Sequence, residues 1–455
     1  MIKNKFVKLA AKILIGLTGL SVLLFFILFE KIDRTPYQQM TYYKNTLQEI
    51  QAFNPYHHSS PEPQGDTVKV GWAKENITPV YHMPLAGYGF RNNFVAVKDS
   101  IFVRTFVFDN GKTKVAYVTL DLLIFPPKVA EKVNAKLSGT KLNISQTFFS
   151  ATHTHNSCGG WLNGLAGYAM AGGYDERYVR FISEKIIKSI EEADLKKEKA
   201  MIGYGQYNAA DFVGNRLAFP DSRTDTLLRV IKIKKISGPS AAIITFSAHA
   251  NCMDMHNDSL SRDYPGVLID DLESSKKVDF AMFSAGMVGS HSPAINNTDK
   301  TFFAYREGTA LAAILKNNID SIPLQSEVLL FSASIPLHLR EPHLKISDKL
   351  RIRPWVFKFL FGKYNPDIKI FRLGNIVMIG MPCDFSGELM TDFEEASKAK
   401  NINLVITSFN GGYIGYINVD KYYDSNREET KYMNWFGPYN QAYFTEIVNS
   451  ILKKI

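Results

Sequence analysis

Two histidines stand out as the residues best suited to chemistry: His153 and His155, in Ser150-Ala151-Thr152-His153-Thr154-His155-Asn156-Ser157-Cys158-Gly159-Gly160. The stretch before them, residues 141–149, alternates β-prone side chains and predicts a strand. In an extended backbone, residues i and i+2 point to the same side, so both imidazoles face one pocket. A His-x-His pair at a strand end is a common source of metal ligands. The same pair also serves as hydrogen-bonding groups within a polar turn, and spacing alone leaves both readings open.

Other strands end in the same way. Residues 241–248 form a buried-type strand that runs into His249. Residues 280–284 lead into a glycine-rich loop carrying Ser290-His291-Ser292-Pro293, residues 376–379 lead to Asp384, and residues 404–409 to Tyr416. An acidic residue, Asp121, closes a strand over 115–120, where it serves as a ligand or caps the following turn. Arg216 sits in a loop over 213–220, a place where arginine is ordinarily a solvated charge. Five strand ends thus carry His/His, His, Ser, Asp and Tyr, which argues for a catalytic rim. Helical patterns at 127–137 and 175–193 alternate with the strands; the second sets Val179, Ile182, Ile186, Ile187 and Ile190 on one face. The expected fold is α/β, with mixed sheets flanked by helices in one large catalytic domain, preceded by a single transmembrane helix.

The elements that must carry this rim are bounded by the rest of the chain. With 455 residues there is ample material for a large core. The formal charge of +9 suits an anionic membrane surface as well as nucleic acid, but no nucleic-acid-binding signature accompanies it. Lys3, Lys5, Lys8 and Lys12 precede an uncharged run of about 17 residues, near the lower limit for spanning a bilayer. The basic flank puts the N-terminus in the cytoplasm. No small-residue cleavage site follows, so residues 1–33 are expected to be an uncleaved signal anchor, with the remainder on the periplasmic or extracellular side. Residues 34–67, with Pro55, Pro61, Pro63 and Gly65, are expected to hold a short helix near 40–51 and then a linker. The catalytic domain is placed at 68–455. From Lys349 to Lys363 the chain mixes basic and aromatic residues, as in a segment lying on anionic lipid. A helix packed on the domain with solvated lysines fits that composition equally well.

Taken in order, these motifs resemble the neutral/alkaline ceramidase family, non-lysosomal amidases that release fatty acid from N-acylsphingosine. Val70-Gly71-x-Ala73, Ile77-Thr78-Pro79 and Gly87-Tyr88-Gly89 match its opening, and Ala151 to His155 with Gly159-Gly160 match its most specific motif. Asn215-Arg216, His249, Asp263-Tyr264-Pro265-Gly266, Gly289-x-x-Ser292-Pro293, Pro382-x-Asp384 and Gly415-Tyr416-Ile417 complete the set. The resemblance implies a zinc ion bound by His153, His249, Asp384 and Tyr416. It further implies His155 as an acid/base or hydrogen-bonding group, Arg216 as a substrate anchor and Ser292 as the catalytic serine. The implied activity is zinc-dependent hydrolysis of the amide of ceramide or another N-acyl lipid.

The sequence departs from the family pattern at three points. Asp384 stands where the family has Glu, Ser290-His291 replaces the carboxylate-bearing Gly-Asp-x-Ser-Pro context, and Asn156-Ser157-Cys158 replaces Ser-Gly-Pro. These departures keep open a non-catalytic envelope protein on the same fold. Cys158, Cys252 and Cys383 each flank an implied site residue. They are read as small buried residues or, alternatively, as replacement ligands or an oxidisable pair.

Overall fold

The computed structural model describes residues 2–455 apart from 55–65, 218, 220, 295–301 and 364. Its largest sheet has eight strands. In chain order they are β2 (Lys69–Asn76), β3 (Phe102–Asp109), β4 (Lys114–Leu120), β5 (Gln146–Ala151), β6 (Glu198–Asn208), β8 (Leu227–Lys235), β9 (Ser240–Phe246) and β10 (Phe280–Ala285), preceded by a short β1 (Phe29–Lys31) and interrupted by β7 (Val213–Asn215). The spatial order is β10-β9-β8-β6-β2-β3-β4-β5. Neighbours are antiparallel except at the two edges, where β9 pairs with β10 and β4 with β5 in parallel. After β11 (His291–Pro293) comes a second sheet, formed by β12 (Leu330–Pro336), β14 (Asp367–Leu373), β15 (Ile376–Gly380) and β17 (Asn403–Thr407). Between and after these lie the short strands β13 (Leu350–Ile352), β16 (Asp384–Phe385) and β18 (Tyr416–Ile417).

The two sheets face each other through Phe106, Phe108, Tyr117 and Phe148 on one side and Phe371, Met378 and Val405 on the other. Strands buried on both faces read as nearly continuous apolar runs, which is why β3 and β4 are so aromatic and β-branched. Helices α3 (Pro127–Ser138) and α5 (Glu176–Leu195) cover the outer face of the β2–β5 half. Asp175 starts α5 by accepting a hydrogen bond from the Arg177 amide, and Tyr178, Val179, Ile182, Ile186 and Ile190 then recur at helical spacing against the sheet. Gly71 permits that packing: a Cβ there would lie 1.9 Å from the Ala193 carbonyl oxygen. Helices α6 (Asp263–Ser274) and α7 (Phe303–Asn318) pack on the β8–β10 half. On the second sheet lie α2 (Thr41–Ala52), α9 (Thr391–Ala399) and α10 (Asn440–Lys454). The fold is therefore α/β, with mixed sheets flanked by helices.

The first described helix, α1 (Ile2–Leu28), is long and apolar enough to cross a membrane and buries none of its apolar stretch against the domain. The segment after α1 is packed on the domain rather than being a free spacer. β1 pairs antiparallel with β13, Phe29 opposite Ile352, and Ile32, Tyr37 and Ile50 are buried in the domain. Burial of each such side chain contributes about 2 kcal/mol. Arg340 donates to the carbonyls of Asp33 and Thr35, and Arg351 Nε to Glu30 at 2.9 Å. The expected helix near 40–51 is α2, docked against α10 and β12. The proline-rich half of the expected linker lies outside the described residues. The basic-aromatic stretch 349–363 forms β13 and α8 (Pro354–Phe361), with Phe357 buried against Trp435 while Trp355 and Phe359 stay exposed.

Glu307 on α7 is buried, and its Oε1 has no hydrogen-bond partner among the described residues. Burial, and secondarily the Asp263 carboxylate, push its carboxyl from 4.5 up to about 8. The folded protein keeps this proton where the unfolded chain has released it, so stability falls as pH rises from 4.5 towards 8. Glu307→Gln keeps the shape and removes the titration. It is expected to stabilise the protein by about 2–4 kcal/mol at the alkaline end and little at the acid end. Thermal melts of both proteins at the two pH values check this.

Candidate active site and metal centre

The parallel strand ends of the two sheets meet at one place, and backbone hydrogen bonds hold them there. The Ser408 amide donates to Ala285 O at 3.0 Å, Gly289 N to Phe385 O at 2.8 Å and His249 N to His291 O at 3.2 Å. β16 lies parallel to β18, which puts Asp384 directly beside Tyr416. Four of the five strand ends singled out in the sequence thereby bring their side chains together.

His153, at the end of β5, adopts φ +63°, a left-handed conformation that turns its ring inward. The ring stacks on Phe409, centroids 4.4 Å apart, and Nδ1 lies 2.6 Å from Leu123 O. His249, fully buried after β9, has its Nδ1 2.8 Å from Val288 O and 3.0 Å from His291 O. A carbonyl facing Nδ1 requires the proton on that nitrogen, which leaves the Nε2 lone pair of each ring pointing into the site. There they meet Asp384 Oδ1, at 3.3 Å from His153 Nε2 and 3.5 Å from His249 Nε2. That oxygen is buried and accepts no hydrogen bond among the described residues, whereas Oδ2 accepts one from Tyr413 at 2.7 Å. The Tyr416 hydroxyl lies 3.2 Å from His249 Nε2. A buried carboxylate oxygen facing two imidazole lone pairs is costly unless a cation sits among them. The donor set is nitrogen and oxygen, suited to zinc.

His155 belongs to the same cluster, its Nε2 3.3 Å from His153 Nε2. Its Nδ1 differs from those of the other two histidines in having no hydrogen-bond partner among the described residues. Gly87 packs against it with φ +120°, and a Cβ at that position would be 2.8 Å from Nδ1, so this close approach of the backbone to the ring requires glycine. Burial, with His153 and Arg216 nearby, pulls His155 well below the ordinary histidine range; burial with Arg216 and the other histidines does the same to His249.

Arg216 is not a solvated loop charge. It is partly buried, with Nη2 donating to the Tyr416 hydroxyl at 3.2 Å and to Gly289 O at 3.3 Å, and Nε 3.2 Å from Glu429 Oε1. Burial opposes its charge, but Tyr416, Glu429 and Asp384 raise its pKa overall. Burial and Asp384 raise that of Tyr416, and Arg216 opposes them.

Ser292 lies at the centre of β11, opposite Gly214 of β7 and half-buried. None of the described hydrogen bonds ties its hydroxyl to the histidines. Its neighbour His291 points elsewhere, towards Arg223 O, and contributes only its carbonyl to the site. Asp121 neither joins the histidine cluster nor caps the following turn among the described hydrogen bonds: it accepts from the Phe102 amide at 2.9 Å, at the start of the neighbouring β3, and burial pushes it up to about 6. All three cysteines are free and buried; Cys158 donates to Tyr178 OH, and no cysteine joins the histidine cluster among the described residues.

Sequence reasoning missed Tyr413, Phe409 and Glu429. The first two lie in the glycine-rich strand-end loop before Tyr416; nothing in the sequence around Glu429 marked it. Behind this loop a cavity of about 870 Å3 is walled by Phe149, Leu162, Met170, Phe357, Tyr413 and Trp435, among others. Tyr413 thus touches both the cavity and the site carboxylate.

Comparison with known proteins gives one family. The model for "Neutral/alkaline non-lysosomal ceramidase, N-terminal" matches residues 68–302. A neutral ceramidase of Pseudomonas aeruginosa is 28% identical over 219 residues, 43% of this chain but only 32% of that protein's length. The crystal structure of neutral ceramidase from Pseudomonas aeruginosa superposes with a TM-score of 0.72 at 19% identity, over 85% of this chain and 74% of the other. A ceramidase complexed with C2 superposes with a TM-score of 0.73 at 19% identity, over 85% and 75%. The fold is shared with both structures, and the chain belongs to the neutral/alkaline non-lysosomal ceramidase family.

Proposed function

We propose that this chain is a zinc-dependent amidase that hydrolyses the N-acyl amide of ceramide to a fatty acid and a sphingoid base. The observation that carries the reading is the buried, unpartnered Asp384 Oδ1 facing the Nε2 atoms of His153 and His249. These three groups and the Tyr416 hydroxyl would hold the metal, which when bound polarises the amide carbonyl and activates water. His155, whose Nε2 lies 3.3 Å from His153 Nε2 and so borders the ligands, serves as the acid/base group that delivers a proton to the leaving nitrogen. Arg216 holds the Tyr416 hydroxyl in place and presents a cation to an oxygen of the substrate. Ser292 acts on the acyl carbon or on the water that attacks it.

The cavity behind the Phe409–Tyr413 loop falls in the size range of ligand pockets. It joins an apolar wall of Phe149, Leu162, Met170, Phe357 and Trp435, which suits a hydrocarbon chain, to charged residues such as Lys128, Glu131, Arg340 and Lys369, which suit a polar headgroup. α1 would anchor the protein as a single span, with Lys3, Lys5, Lys8 and Lys12 on the cytoplasmic side and the catalytic domain on the periplasmic or extracellular side.

Metal analysis of the purified protein tests the site: one zinc per chain is expected, and a folded, metal-free protein would favour a non-catalytic role. Tyr413→Phe removes the hydrogen bond that orients Asp384 without touching the cluster. It is expected to weaken zinc affinity about 10–100-fold, as measured by competition with a chelating dye.

A further inference from the structure

We propose that the outer face of α8, together with the adjoining α4 (Gly164–Ala171), is seated in the headgroup region of the bilayer that α1 spans. The domain is then fixed on the membrane surface rather than held off it by a tether. This rests on the anchor reading of α1.

The geometry begins where α1 ends. Leu28 O accepts a hydrogen bond from Arg353 N at 2.8 Å, and Phe26 O accepts from Arg353 Nε at 3.1 Å. Arg353 is the residue immediately before α8. The β1–β13 pairing, the Ile32 amide on Lys349 O, and Glu30 between Arg351 and Arg353 complete a clamp at the helix exit. With α1 in the membrane, α8 therefore starts at the membrane surface. Its 8 residues span only about 12 Å, so none of it lies far from that surface.

What α8 shows to its surroundings suits that place. Phe357 and Phe361 turn inward against Trp435 and wall the cavity. Trp355 and Phe359, also four residues apart, remain 53% and 72% exposed. α4 packs on α8 and exposes Leu165 and Tyr168, and the exposed Phe90 meets Tyr168 edge to face. Aromatic side chains with one apolar and one polar side are the residues favoured at a membrane interface. Lys349 and Lys363 flank α8, exposed and without an ion-pair partner among the described residues, and suit anionic headgroups. A seated α4–α8 face also puts the Leu162–Met170–Phe357 wall of the cavity beside the bilayer, where a lipid chain has the shortest transfer path.

The test uses the full chain in liposomes of phosphatidylcholine and phosphatidylglycerol. Because the native thiols are all buried, Phe359→Cys accepts a nitroxide selectively. In protein that floats with the liposomes, the label at 359 is expected to be several-fold more accessible to oxygen than to a water-soluble nickel chelate. A label at the exposed Ile236, in the turn after β8, is expected to show the reverse. Trp355 is the one exposed tryptophan of the four, so lipids brominated high in the acyl chain should quench wild-type fluorescence and lose most of that effect in Trp355→Phe. A floating protein whose residue 359 favours the nickel chelate, or whose Trp355 is not quenched, overturns the seating while leaving the anchor intact. Failure to float with the liposomes overturns the anchor, and the seating with it.

Discussion

His249→Ala is expected to leave the protein without bound zinc and to lower amide hydrolysis by at least about 10³-fold. The side chain is fully buried, and its Nε2 lies 3.2 Å from the Tyr416 hydroxyl. Alanine leaves Asp384 Oδ1 facing a single imidazole and removes the group that meets Tyr416, so the loss exceeds that of one ligand bond. His153→Ala should have the same outcome, but His153 sits at φ +63°. Histidine is better tolerated there than alanine, so part of the effect would be local destabilisation. Equal loss of zinc with a smaller loss of thermal stability in His249→Ala is expected, and metal analysis with a thermal melt reads both.

Ser292→Ala should behave differently, with zinc retained and hydrolysis reduced about 10²-fold or more. The serine is held by the β7–β11 pairing and makes no described hydrogen bond to a metal-site side chain, so its removal leaves the ligand geometry alone. The separation of metal content from turnover is the signature of a group that acts on substrate. Full activity in Ser292→Ala would remove the serine from the mechanism. In that case His155 would serve the attacking water unaided.

Much of this arrangement was legible in the sequence because strand ends are marked by both composition and punctuation. His153, His249, Asp384 and Tyr416 each come after a β-prone run, and the parallel edges of the two sheets bring such ends to one rim. Helices with clean apolar periodicity, such as α5, were equally plain. What stayed hidden depends on contacts far apart in the chain. Arg216 reads as a loop charge until Tyr416, Glu429 and Gly289 close around it. Tyr413 has no local mark, since its role comes from one hydrogen bond to a residue 29 positions earlier. α2 is polar enough to pass for part of a spacer, and only the buried Thr46 and Ile50 show that it belongs to the core. His291, which stands in the departure from the family pattern beside the implied serine, has its ring turned away from the site by strand alternation.

On the proposed reading, the cluster of His153, His249, Asp384 and Tyr416 would hold the zinc with which this chain cleaves an N-acyl lipid amide. The most direct measurement is release of fluorescent fatty acid from a short-chain ceramide by the full-length protein, before and after chelation. The predicted result is release that stops when the metal is withdrawn and returns on adding zinc. Release that persists in demonstrably metal-free protein, or no release from folded protein carrying one zinc per chain, would contradict it.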